Sequence, residues 1–469
     1  MTQIHQMSAA ELAAAYRSKS LSPVEVARAL LARIARWEPE LNAMYRIHSE
    51  AALAAASAAE ARWRGREPAS ALDGVPITLK ENLYTRGDPA PLGTAAGELV
   101  PRTKDAPPAA RAREAGLVLL GKTTMPDFGM LSSGLSSIHG VTRNPWRLDR
   151  NPSGSSAGAA AAAAAGYGPL HVGTDIGGSV RLPATHCGLF GLKPSLGRIP
   201  IDPPYMGRVA GPMTRTVRDA ALLMNVLTRP DRRDFMSLPY QEIDYAAGLD
   251  SLELSGLRIG LLETMGVGLP VAPEVLAAAR EAARVLEGAG AIVEPMPSFL
   301  TAEMFEGMLM FFEARSCRDV LAMEQARRDR ILPFIVEWCT HRARTFSGSD
   351  VMGAYGQVMA MREAAVRAVG RYDFVISPTS PILPYEAGLA CPGNDPHDAL
   401  AHIAFTVAYN MSEQPAASLN WSFGSAGLPI GVQVIGQRFD DRGVLRLSRA
   451  LEGLRGPQRP WPEPASARA

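Results

Sequence analysis

Gly173-Thr174-Asp175-Ile176-Gly177-Gly178-Ser179-Val180-Arg181 is the stretch from which the rest of this chain is read. Gly177 and Gly178 remove side chains just before Ser179, so backbone N–H groups can turn toward whatever the Ser179 hydroxyl attacks. An oxygen gaining negative charge in such an attack needs preorganised donors, and a run of small residues can supply them. Glycine–serine pairs also occupy ordinary turns. The catalytic reading gains weight from two further segments: Ser153-Gly154-Ser155-Ser156-Ala157-Gly158, and a lysine closing Gly74-Val75-Pro76-Ile77-Thr78-Leu79-Lys80.

Together these three segments resemble the amidase signature hydrolases, which use a Ser–Ser–Lys triad. The likeness extends along the chain: Ser22-Pro23-Val24-Glu25-Val26-Ala27, Asn144-Pro145-Trp146, Gly191-Leu192-Lys193-Pro194, Ser377-Pro378-Thr379 and Gly427-Leu428-Pro429-Ile430-Gly431-Val432-Gln433 all follow the family pattern. The resemblance implies a nucleophile at Ser179, a bridging serine at Ser155 after a cis peptide bond from Gly154, and a general-base lysine at Lys80. It also implies oxyanion donors in the N–H groups of Ile176, Gly177, Gly178 and Ser179. Gly154, Ser156, Asp175 and Arg181 become supporting residues. Phe128, Gly129, Met130, Leu131 and Ser132 should border the acyl pocket, and Pro203-Pro204-Tyr205-Met206-Gly207-Arg208 should form an entrance loop. The implied fold is α/β, one large mixed sheet covered by helices on both faces, with no metal or cofactor. Three positions depart from the pattern. Ser153 and Ala157 stand where the family has glycine, and Thr124 stands where it often has asparagine, which puts a substrate contact there in doubt.

Composition narrows the alternatives. Of 469 residues, 47% are hydrophobic and 20% charged, with 48 basic against 47 acidic side chains. That balance is ordinary for a globular protein and gives no basic excess for nucleic acid. No run reaches the ~18 apolar residues of a membrane span, and the N-terminus lacks a basic segment followed by an apolar one. Four scattered cysteines, Cys187, Cys317, Cys339 and Cys391, read as buried thiols. The expected setting is cytoplasmic, the expected partner a small-molecule amide or carbamate, and the expected state a monomer or homodimer.

Along the chain, residues 1–65 read as a helical segment packed on the body. Ser8 with Glu11 and Ser22 with Glu25 form capping boxes. Residues 66–456 read as the single catalytic α/β domain, with strands at Val75–Leu79, Leu117–Leu120, Leu257–Leu262, Ala291–Val293, Phe374–Ile376 and Gly431–Ile435. Ala159–Ala165 reads as a buried helix packed close to a sheet, because alanine has high helix propensity and no bulk. Met304, Met308, Met310, Phe311 and Phe312 lie in a helical stretch as core or as pocket lining. Residues 457–469 read as a flexible tail.

The chemistry requires an uncharged lysine. A serine hydroxyl is a poor nucleophile until its proton is removed, and burial away from carboxylates would depress the lysine pKa from ~10.4. Glu81 adjoins Lys80, but neighbours in a strand point to opposite faces. Asp175 and Arg181 flank the serine as a pair that either tensions the loop or sits idle on the surface. His139 and His186 read as structural. Apolar segments without an obvious charged clamp point to a neutral aryl or alkyl amide, carbamate or ester. Two rivals remain. One is the glutamine-hydrolysing subunit of a tRNA-dependent amidotransferase, although residues 341–361 depart from its glutamine-binding stretch. The other is an α/β-hydrolase esterase with Ser156 as nucleophile and His402 or His397 as base.

Overall fold

The computed structural model describes residues 3–464. The chain begins with two capped helices, Ala9–Ser18 and Pro23–Leu41. In each, the capping serine (Ser8 or Ser22) accepts from a backbone N–H, and the glutamate three residues on returns the bond. The second helix turns Val26, Leu30, Ile34, Trp37 and Leu41 inward. The first 65 residues are not helical throughout, however. Met44–Ile47 is a strand, β1, paired antiparallel with Val118–Thr123, so the N-terminal segment supplies an edge of the main sheet.

That sheet has eleven strands among the described residues. After β1 come β2 (Pro76–Lys80), β3 (Val118–Thr123), β4 (Leu170–Asp175), β5 (Phe190–Lys193) and β6 (Val209–Thr214). The remaining strands are β7 (Arg258–Leu261), β8 (Ile292–Pro295), β9 (Phe374–Pro378), β10 (Ala416–Phe423) and β11 (Pro429–Gly436). Their spatial order is β1-β3-β2-β4-β6-β5-β10-β11-β9-β7-β8. β2 runs parallel to both β3 and β4, whereas β4 runs antiparallel to β6. The sheet is therefore mixed, as the resemblance implied. Its centre is buried along whole strands: every residue of β2, β3, β4, β5, β6, β9 and β11 is buried, which requires cover on both faces.

Part of that cover is the helix Ala157–Ala165, in which every residue is buried. A helix apolar all round belongs in a core, and alanine lets it approach the strands closely. Gly158 shows how close: a Cβ there would collide with the Ala43 carbonyl and the Thr124 side chain. Gly173 in β4 is constrained likewise, since a Cβ would stand 2.5 Å from Ser156 Oγ. A second apolar cluster forms around the helices Ala302–Leu321, Gly348–Val369 and Ala404–Met411. Met308 and Phe312 are buried within it, and Met304 and Phe311 pack on its margin, so these side chains are core. The four cysteines are all buried and unpaired.

The C-terminal segment differs from the loose tail expected. Gln458 bonds Asn420 and the Trp421 carbonyl. Trp461 packs at a tilt against Trp146 and lies beneath Arg215, and Glu463 pairs with Arg33 and His5. Residues 457–464 are thus tied to the N-terminal helices and the loop before the serine cluster; 465–469 lie outside the described residues.

Enlarging the alanine helix should be costly. Ala160→Leu inserts bulk at a fully buried position and is expected to destabilise the protein by about 1–3 kcal/mol, read as a lower urea midpoint.

Candidate active site

β2 ends at Lys80, whose side chain is completely buried. Its Nζ lies 2.8 Å from Ser155 Oγ, 3.1 Å from Ser156 Oγ and 3.1 Å from Thr174 Oγ1. The Gly154–Ser155 peptide bond is cis. Ser156 Oγ gives its proton to the Thr174 carbonyl (3.2 Å), so it can only accept from the lysine. Thr174 Oγ1 accepts from Asn82 Nδ2 as well. An uncharged amine has two protons and one lone pair. With its protons on Ser156 and Thr174, the lone pair is left for the Ser155 hydroxyl.

Burial, then the charge of Arg208, holds Lys80 well below the usual lysine range, and Asp175 and Glu81 oppose this only weakly. Glu81 is engaged elsewhere: it accepts from Gly93 N at 2.9 Å and lies 2.5 Å from His139 Nε2. His139 is accordingly a structural partner of Glu81.

Ser179 follows the turn after β4, held by one carboxylate. Asp175 accepts from Gly178 N (2.8 Å) and Val180 N (3.1 Å), and Arg181 grips both of its oxygens at 3.0 and 3.1 Å. Both side chains are fully buried, which excludes the idle surface pair. Burial alone would raise the Asp175 carboxyl, but Arg181, Asn410 and the loop N–H groups outweigh it and hold it ionised. Arg181 reaches further, to the Thr406 carbonyl, Gln433 Oε1 (2.8 Å) and Asn410 Oδ1 (2.6 Å). Gln433 in turn donates to Ser377 Oγ. The late motif segments therefore converge on Arg181.

This bracing corrects the donor set. Gly178 N–H is committed to Asp175, whereas among the described residues no protein acceptor meets the N–H groups of Ile176, Gly177 or Ser179. Ser179 Oγ also has no hydrogen-bond partner among the described residues. Ser179 and Ser155 face a common cavity of about 480 Å³ without a direct bond between their hydroxyls. A backbone bond from Ser156 N to the Ser179 carbonyl (3.2 Å) ties the two segments together.

Phe128, Gly129, Met130 and Ile176 line that cavity, and so do Pro203, Pro204, Tyr205 and Arg208 of the expected entrance loop. Leu131 and Ser132 do not. They are buried behind the wall, where the Ser132 carbonyl accepts from Tyr385 Oη. Thr124 bonds Thr142 and the Ala43 carbonyl and also stays outside the cavity. Ser156 is fully buried, and neither His402 nor His397 bonds it; His397 pairs with Glu337 instead. Burial lowers His186 to about 4 and His402 to about 3. An Oγ nucleophile at Ser156 thus lacks both access and a histidine base. Sequence reasoning missed Thr174, Asn82, Asn410 and Arg315. Thr174 and Asn82 adjoin motif residues and were within reach; Asn410 and Arg315 carried no local signal.

The Asp175–Arg181 pair generates a stability prediction. Arg181→Met leaves a buried carboxylate unpaired and should lower stability by about 3–5 kcal/mol. Asp175→Asn in the same chain should recover part of that loss, measured as urea midpoints of the three variants.

Comparison with known proteins agrees with this geometry. The Amidase family model matches residues 25–445. A glutamyl-tRNA(Gln) amidotransferase subunit of Myxococcus xanthus (strain DK1622) is 36% identical, with 96% of this chain and 97% of the relative covered. An acylamidase of Rhodococcus erythropolis is 33% identical over 98% of this chain and 96% of its own. A bacterial aryl acylamidase of the amidase signature enzymes superposes with a TM-score of 0.89 at 30% identity, covering 97% of each chain. A match spanning most of the chain, joined to this fold, places the protein in the amidase signature family.

Proposed function

We propose that this chain hydrolyses the C–N bond of a small linear amide through an acyl-enzyme on Ser179. The observation that carries the reading is the buried, carboxylate-free amine of Lys80 in contact with Ser155, beside a cavity that Ser179 also faces. In the proposed cycle Ser179 Oγ attacks the substrate carbonyl carbon. Its proton passes to Ser155, whose own proton passes to the Lys80 lone pair. The N–H groups of Ile176, Gly177 and Ser179 receive the developing oxyanion. As the C–N bond breaks, Lys80 returns the proton through Ser155 to the leaving nitrogen, which cannot depart as an anion. Water then attacks the acyl carbon by the same relay, releasing the acid and restoring Ser179. On this reading the Ser179 proton reaches Ser155 across the cavity that both residues line.

Aryl amides are the favoured substrates because a solved aryl acylamidase shares the fold so closely. Carbamates and activated esters present a similar carbonyl and would be side substrates. The second reading, a glutamine-hydrolysing subunit, rests on the 36% identity to an amidotransferase component; glutaminase activity that appears only with a co-purified partner would establish it. A cytoplasmic setting fits four free, buried thiols. No helix among the described residues is long and apolar enough to cross a membrane.

Ser179→Ala should abolish labelling by a fluorophosphonate probe, while Ser156→Ala should still label; persistent labelling of the first variant overturns the nucleophile. Lys80→Ala should reduce anilide turnover by at least about tenfold more than activated-ester turnover, since only the amide needs its leaving group protonated. With burial holding Lys80 low, kcat/KM for an anilide should fall as pH drops through the lysine's depressed pKa, the acid limb lying well below the ordinary lysine range. A profile that rises only near the ordinary lysine pKa would mean that the base is solvated.

A further inference from the structure

The cavity wall also carries charge. Asp175, Arg208, Arg315, Arg318 and Asp319 all line it. Both carboxylates are already matched: Asp175 is gripped by Arg181, and Asp319 lies 2.9 Å from Arg318 at the exposed rim. The other two guanidinium groups have no such match. Arg208 donates only to the Pro203 carbonyl, and Arg315 makes no ion pair or hydrogen bond among the described residues. Arg315 lies instead over two aromatic rings, its Cζ 5.0 Å from the Tyr205 centroid and 5.5 Å from that of Phe312. Cation–π contacts of this kind hold a guanidinium in place without occupying its N–H groups.

Two half-buried cations of like sign beside one small cavity repel each other, and an anion between them would relieve that repulsion. The fork of N–H groups on each matches a carboxylate. We infer that the substrate of this amidase carries a carboxylate as well as the scissile amide, the carboxylate being held by Arg208 and Arg315. The inference rests on the hydrolase reading above. It replaces the neutral substrate expected from sequence, where the loop at Arg208 and the helix at Arg315 are too far apart to suggest a clamp. A bound carboxylate would also offset the charge Arg208 exerts on Lys80. The base would then accept a proton more readily once an anionic substrate is seated.

Two matched pairs of anilides test this in the full-length protein. One pair places the carboxylate on the acyl side: glutaryl 4-nitroanilide against 5-methylhexanoyl 4-nitroanilide. The other places it on the amine side: 4-acetamidobenzoate against 4-isopropylacetanilide. In at least one pair kcat/KM should favour the carboxylate by roughly a hundredfold, the scale of a charged, desolvated contact. Arg315→Leu should bring that ratio close to one, and Arg315→Lys should restore part of it, which a folding defect would not do. For the anionic substrate alone, the acid limb of kcat should lie at higher pH than that of kcat/KM. Equal or inverted preference in both pairs overturns the inference, as does a ratio indifferent to Arg315→Leu. If uncharged anilides are cleaved by Ser179 without such preference, only the carboxylate assignment falls. If no anilide is cleaved and Ser179 is not labelled by fluorophosphonate, the hydrolase reading falls with it.

Discussion

An amine buried in a protein loses its charge most readily where no free carboxylate touches it, and much of this site follows from that constraint. Lys80 is completely buried, and its three polar neighbours are hydroxyls. Two of them accept hydrogen bonds from the amine and the third, Ser155, faces its lone pair, and none stabilises its charged form as a carboxylate would. Two acids nonetheless lie close by. Glu81 is the next residue in the chain and Asp175 ends the neighbouring strand β4, yet each is drawn away by a partner of its own, His139 and Arg181. Burial and Arg208 thus lower the basicity of the lysine, and the two acids, each held by its own partner, oppose them less.

Arg181 is the busier of those partners. It neutralises Asp175, whose carboxylate then orients the turn carrying Ser179, and it anchors that turn to the helix Ala404–Met411 and to β11 through Thr406, Asn410 and Gln433. Fixing the turn from several sides matters because oxyanion donors act only if they are aimed before charge develops. One of four candidate N–H groups, that of Gly178, is used up in doing so. The bracing and the donor set compete for the same backbone.

What could be read from sequence follows the range of the interaction. Capping boxes, the buried alanine helix and the strand ending at Lys80 are set by neighbours within a few residues, and they stand where local chemistry puts them. The lysine–serine contact, by contrast, was implied by likeness to a family and joins residues far apart in the chain. Strands β4, β5, β6 and β10 escaped notice because they do not alternate: β4 contains His171, Gly173, Thr174 and Asp175, and all are buried. Polarity in such a strand reads as loop, whereas here it serves the site, with His171 bonded to Thr78 and Thr174 to the lysine. β1 was lost inside a helical segment for a related reason. Four residues at a sheet edge give too short a pattern to stand out.

The same limit explains why the cavity's charge was invisible. Net charge is nearly balanced over the whole chain, and nothing in that total reveals which side chains face each other. Folding pairs Asp175 and Asp319 with arginines of their own and leaves Arg208 and Arg315 facing the cavity without an ion-pair partner among the described residues, Asp202 acting on Arg208 only at a distance. Arg208 then has a double effect. Its charge helps hold the Lys80 amine below the usual lysine range, and the same charge attracts an anion. An anionic ligand would therefore weaken the very field that primes the base, so occupancy and basicity are coupled through one guanidinium. A neutral ligand in the same place would leave that field intact. The difference between the two cases belongs to the electrostatics of the cavity and not to the contact between Lys80 and Ser155.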